Sequence, residues 1–153
     1  MNRLIETIKN PRVLLLKLIQ DLSTEQFNEV PAGFNNNIIW NLGHMISAQQ
    51  GLCYKRSGLD IKTDQQLFLA YRPETKPEEF VDSAGVDEIK SLLLSTIDKL
   101  DADYSNNLFT SFGTFTTRYG IELSNIDDVL RFLPFHEGLH IGCILALKKL
   151  VTR

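Results

Sequence analysis

The chain has 153 residues, 43% of them hydrophobic and 23% charged, with two cysteines and a formal charge of -3. That size suits one domain over 1–153 and buries enough surface to fold without a disulfide or metal. The charge balance offers no global attraction to nucleic acid or to an anionic membrane, and no apolar run approaches the ~20 residues that cross a bilayer.

In chain order, Leu4, Ile8, Leu15, Ile19 and Leu22 recur at helical spacing. Pro11 lies among them, so the first helix kinks there or restarts with Asn10 as cap. Charged and polar side chains interrupt this stretch, so it does not read as a signal peptide. With Cys53 and Cys143 forming no disulfide framework, a cytoplasmic protein is the expectation. Ser23 with Gln26 predicts a capping box over one or two short turns, ended by Pro31 and Gly33. Asn35, Asn36 and Asn37 are cap candidates for a second long helix over 37–57, with Gly58 as its stop.

Residues 59–85, with Pro73, Pro77 and Gly85, read as a long crossover holding one short helix near Leu67 to Tyr71. Ile89, Leu93, Ile97 and Leu100 define a third helix over 86–103. Phe112, Thr114 and Thr116 alternate, yet no other segment offers a strand partner of similar quality, so 104–123 reads as a loop. Ser124 with Asp127 opens the last helix, which runs to about Leu150 with a kink expected at Pro134. Four long helices with one long crossover predict an all-α four-helix bundle.

The chemistry lies on the last helix. Val129, Leu133, His136, His140, Cys143, Leu147 and Leu150 form one inward stripe. Imidazoles four residues apart stack at roughly 5–6 Å between Cβ atoms, where one metal ion can take a nitrogen from each. The third histidine, His44, sits on the second helix among the small residues Gly43, Ser47 and Ala48, which leave room for a pocket. A single site can therefore use every histidine in the chain.

His136, Glu137 and His140 also match H-E-x-x-H, in which Glu137 would be the general base for a metal-bound water. No His, Asp or Glu follows His140, so a third ligand must come from earlier in the chain, which favours a two-plus-one bundle site over a protease. Glu137 has three readings: base, acceptor for an imidazole N–H, or solvated helix-face residue. Cys143 is a fourth ligand or a packed hydrophobe. Trp40 walls a pocket or packs between helices, and the aromatics Tyr104, Phe109, Phe112, Phe115 and Tyr119 rim the site or supply a subunit interface.

On NNNIIWNLGH, ending in His44, and HEGLH, spanning His136 to His140, nearly the whole chain resembles the DinB-like superfamily. The superfamily includes YfiT-type and bacillithiol-transferase-type proteins. The resemblance implies a bundle running up-down-down-up, with its long crossover between the second and third helices. It implies a divalent ion, zinc or nickel, on His44, His136 and His140, and a homodimer. It implies transfer of a low-molecular-weight thiol to a small electrophile. In one place the chain departs from the common pattern: Cys143 stands where a glutamine often follows the last histidine. Two readings stand: a metal-dependent enzyme acting on a small molecule, or a non-catalytic metal-binding or stress-related accessory protein.

Overall fold

The computed structural model describes residues 1–153. Helix α1 (Arg3–Leu18) begins at Asn2, whose side chain accepts from the Leu4 N–H. Pro11 lies inside this one element, so the helix does not restart at Asn10. Helix α2 (Thr24–Asn28) carries the complete Ser23–Gln26 capping box. Helix α3 (Ile38–Gln49) is capped by Asn37. It continues as a π-helical turn over Gln50–Tyr54 and a 3-10 turn over Lys55–Ser57. Gly58 ends it at φ 71°, a left-handed backbone that glycine adopts without a Cβ clash.

The crossover contains α4 (Gln65–Ala70). Helix α5 (Ser83–Ser105) is capped by Asp82 and begins earlier than its apolar pattern alone marks. Strands β1 (Phe115–Thr116) and β2 (Glu122–Leu123) pair antiparallel, a correction to the loop expected over 104–123. The partner strand comes from the same segment through a tight turn at 117–120, and at two residues it is too short to read as a partner. Helix α6 (Ile126–Val151) is capped by Asn125, one residue beyond Ser124.

Cross-helix bonds fix the topology. Asn2 meets Asp101 and Arg12 meets Leu93, so α1 and α5 are antiparallel. Arg12 meets Glu137 and Leu18 meets Lys148, so α1 and α6 are parallel. Gln49 meets Thr96 and Tyr54 meets Asp103, so α3 runs with α5. The result is an up-down-down-up bundle with its crossover between the second and third long helices.

Two apolar clusters fill the interior. One gathers Leu15, Ile19, Leu42, Ile46, Leu93 and Leu147. The other gathers Ile5, Ile8, Cys53, Ile97, Val129 and Leu133. Between them in sequence, on α1 and α6, stand Arg12 and Glu137, 0% and 1% exposed. Arg12 donates from Nε to Glu137 Oε2 at 2.8 Å and from Nη2 to Oε1 at 2.7 Å. Its other N–H groups reach Gln49 Oε1 and the carbonyls of Leu93 and Met45. A guanidinium has five donors, and here all five have acceptors drawn from the other three long helices. A buried charge is tolerable only when paired and fully hydrogen-bonded, and this layer meets both conditions.

Candidate metal centre

His44, His136 and His140 converge. Their ring centroids lie 5.3 Å (His44–His136), 4.7 Å (His44–His140) and 4.6 Å (His136–His140) apart. One nitrogen from each falls within a 4.8 Å span. Two nitrogens bonded to one ion at ~2.1 Å sit at most ~4.2 Å apart, so the three nitrogens are grouped on nearly the scale that one ion needs.

Two rings are held in the tautomer that a metal needs. The Nδ1 of His44 lies 2.8 Å from the Tyr71 carbonyl, which can only accept, so Nδ1 donates and Nε2 keeps its lone pair. The Nδ1 of His140 lies 2.9 Å from Asn41 Oδ1. The Asn41 amide is itself fixed, because its Nδ2 donates to the Asn37 carbonyl at 2.7 Å and to Asn36 Oδ1 at 3.1 Å. His140 therefore also presents Nε2. His136 has a buried Nδ1 with no hydrogen-bond partner. An unpaired buried polar atom costs ~1–3 kcal/mol, and no protein group here offsets that cost.

Burial lowers the pKa of all three rings. His136 is pushed down to about 3, by burial first and then by neighbouring His140 and His44 and the charges of Arg12 and Arg118. His140 is pushed down to about 4 by burial and His44. His44 is lowered by burial, partly offset by its bond to Tyr71. Near neutral pH the site holds three uncharged nitrogens, with no proton to displace.

The local sequence explains the positioning. Asn37 starts α3 so that Trp40, Asn41 and His44 share a face one turn apart. Gly43 lets the Tyr71 ring lie against the helix; a Cβ there would fall far inside contact distance of that ring. The close approach brings the Tyr71 carbonyl to His44. Ser47 docks the same segment by donating to the Phe68 carbonyl at 2.9 Å. Trp40 stacks on His44 at 4.8 Å and 10°, and its indole N–H donates to Thr75 Oγ1 at 3.0 Å.

The triad opens on a cleft of about 760 Å³ walled by Trp40, Phe68, Phe115, Tyr119, Phe132 and Leu139. Cys143 lines this cleft but lies outside the three-ligand set. Its thiol is pushed up by burial, with Asn41 acting in the opposite direction. Of the loop aromatics, Phe115 and Tyr119 rim the cleft, while Tyr104, Phe109 and Phe112 pack against the apolar cluster around Ile97. Glu137 is not solvated, since its carboxylate is bound by Arg12 in the interior.

Sequence reasoning missed Arg12, Asn41 and Tyr71. Arg12 left a signal: it fills the gap between Ile8 and Leu15 on the inward stripe of α1. Asn41, three residues before His44, is a polar residue on a strongly apolar helix. Nothing in the sequence marks a backbone carbonyl such as that of Tyr71.

No curated protein matches the chain. No helix is long and apolar enough to cross a membrane. The DinB superfamily profile matches residues 8–144, a span that includes the Arg12–Glu137 pair and all three histidines. With most of its length matched and its histidines gathered into a cluster that can coordinate a metal ion, the chain belongs to the DinB superfamily.

Proposed function

We propose that the protein is a divalent-metal-dependent enzyme that joins a low-molecular-weight thiol to a small electrophile. One observation carries this reading: three neutral imidazoles face an open, largely apolar cleft with no fourth protein ligand in their set. Three nitrogen donors with a vacant position are the donor pattern of a catalytic rather than a structural zinc site. They suit zinc or nickel.

A divalent ion bound there would lower the pKa of a thiol or water held beside it. The chain's own residues do the rest. Tyr71 and Asn41 hold two rings in the ligating tautomer. Trp40, Phe115 and Phe132 exclude water from the reacting atoms and pack the apolar part of the substrate. In the reaction the S–H bond gives up its proton to solvent, a C–S bond forms, and the leaving group departs with its electron pair. Glu137 is assigned to the interior ion pair and not to proton transfer, because Arg12 occupies both of its oxygens. A homodimer and a cytoplasmic location complete the proposal, the homodimer supported by the exposed Phe135 on α6.

The test is consumption of small thiols against 1-chloro-2,4-dinitrobenzene by zinc- or nickel-loaded protein. The expected result is turnover that chelation and His140→Ala both remove. Fully loaded protein that consumes none of a broad set of thiols contradicts thiol transfer and favours the accessory-protein reading.

A further inference from the structure

The cleft carries four formally charged side chains: Lys55, Arg56, Arg118 and a single acid, Glu74. None of the four belongs to an ion pair. A chain of net charge -3 thus gathers unpaired positive charge at the one cleft that holds the triad. Arg12 is the contrast, since all of its donors are used inside the protein.

The arginines sit on fixed elements. Arg118 occupies the turn between β1 and β2, where the Gly120 N–H donates to the Thr117 carbonyl at 3.0 Å and Gly120 takes φ 75°. Buried Leu123 anchors the hairpin to the bundle and Thr117 is buried beneath the turn, so the exposed tip presents Arg118 and Tyr119. Arg56 stacks its guanidinium 4.0 Å over the Phe115 ring of β1. Its carbonyl accepts from the Gly113 N–H at 2.6 Å, tying the 3-10 turn over Lys55–Ser57 to the hairpin segment. Arg118 lines the same cleft as His44, His136 and His140.

We infer that Arg118, with Arg56 in the same cleft, binds an anionic group of the cleft's substrate, a carboxylate or phosphate, while the reacting atom lies at the triad. The inference rests on the proposed function and names its substrate class: a small acid of mixed character, apolar against Trp40 and Phe132, charged at the hairpin end. A cleft of about 760 Å³ has room for such a molecule, a thiol acid with its sulfur at the triad, beside the electrophile. A guanidinium pairs with either anion through two parallel N–H bonds, which a lysine cannot reproduce.

The test uses two thiols of equal length, 3-mercaptopropionate and 3-mercaptopropan-1-ol. Each is titrated calorimetrically into metal-free and zinc-loaded protein, for the wild type and Arg118→Gln. The expected result is about tenfold or greater preference for the acid, as one charge-assisted contact gives. The preference collapses in Arg118→Gln, while zinc stoichiometry is unchanged. Competition by acetate and by inorganic phosphate then identifies which anion the arginines favour. Equal affinity for the two thiols, a preference that survives Arg118→Gln, or no binding of either thiol overturns the inference. The two proposals fail separately: an Arg118-dependent preference without zinc uptake keeps the anion site and removes the metal reading. Zinc uptake with no preference does the reverse.

Discussion

Asn41 Oδ1 lies 2.9 Å from His140 Nδ1, and the two groups come from helices of opposite direction. The contact turns a neutral imidazole into an aimed ligand, because a ring that donates from Nδ1 presents a lone pair at Nε2. Asn41→Leu removes the acceptor while keeping the side chain's approximate volume. The expected outcome is a folded bundle whose zinc affinity falls about 10- to 100-fold, the usual range for losing such a partner. Competition against a chromophoric chelator measures it. Unchanged affinity would mean that the amide does not orient the ligand.

Protonation offers a second check. Unfolded histidine titrates near ~6.5, whereas burial holds His136 at about 3 and His140 at about 4 in the fold. Below ~6.5 the unfolded chain takes up protons that the folded rings refuse, so stability from this source is complete above that pH. It declines as pH falls and levels off only near the folded values of about 3 to 4. Urea melts of metal-free protein at about pH 7.5 and about pH 5.5 bracket the onset. Replacing His136 and His140 by glutamine should flatten the difference, and an unchanged pH slope in that variant contradicts the assignment.

The Arg12–Glu137 pair predicts a strong asymmetry between single and double replacement. Glu137→Leu leaves a guanidinium buried without its counter-ion and should cost about 3–5 kcal/mol. Arg12→Met together with Glu137→Leu removes both charges and should cost less than the two single changes summed. Denaturant midpoints of the four proteins decide it. Additive losses would mean that the two side chains do not act as a unit.

Trp40 is the only tryptophan in the chain and stacks 4.8 Å from a triad ring. Copper(II) or nickel(II) titrated into metal-free protein should quench its emission with a sharp endpoint at one equivalent. Zinc should then suppress the quenching by occupying the same site. Quenching that persists in His44→Ala at the same endpoint would place the ion elsewhere.

The helices were legible because their caps and apolar periods are local. Asn37 before Ile38, Ser23 with Gln26, and Gly58 at a left-handed stop each act within one turn. The expected convergence of His44, His136 and His140 is seen in the fold. The rest depends on distant partners. Arg12 reads as a break in an apolar stripe until Glu137, Leu93 and Met45 are brought around it. The role of Tyr71 rests on its backbone carbonyl, which every residue carries. The change of pitch at Gln50–Tyr54 has no composition signal that we can identify, although Gly51 within it lines the cleft. The alternation at Phe112, Thr114 and Thr116 lacks a visible partner because β2 is only two residues long and lies within the segment read as a loop.

The most direct measurement is metal content by mass spectrometry on tag-free protein, purified without added metal or chelator, beside His136→Ala. The account predicts close to one equivalent of zinc or nickel in the wild type and little or none in the variant, with both forms equally helical by circular dichroism. A wild type that holds no metal and takes up none on titration, or a folded variant that keeps full occupancy, contradicts the central claim that these three histidines form a metal centre.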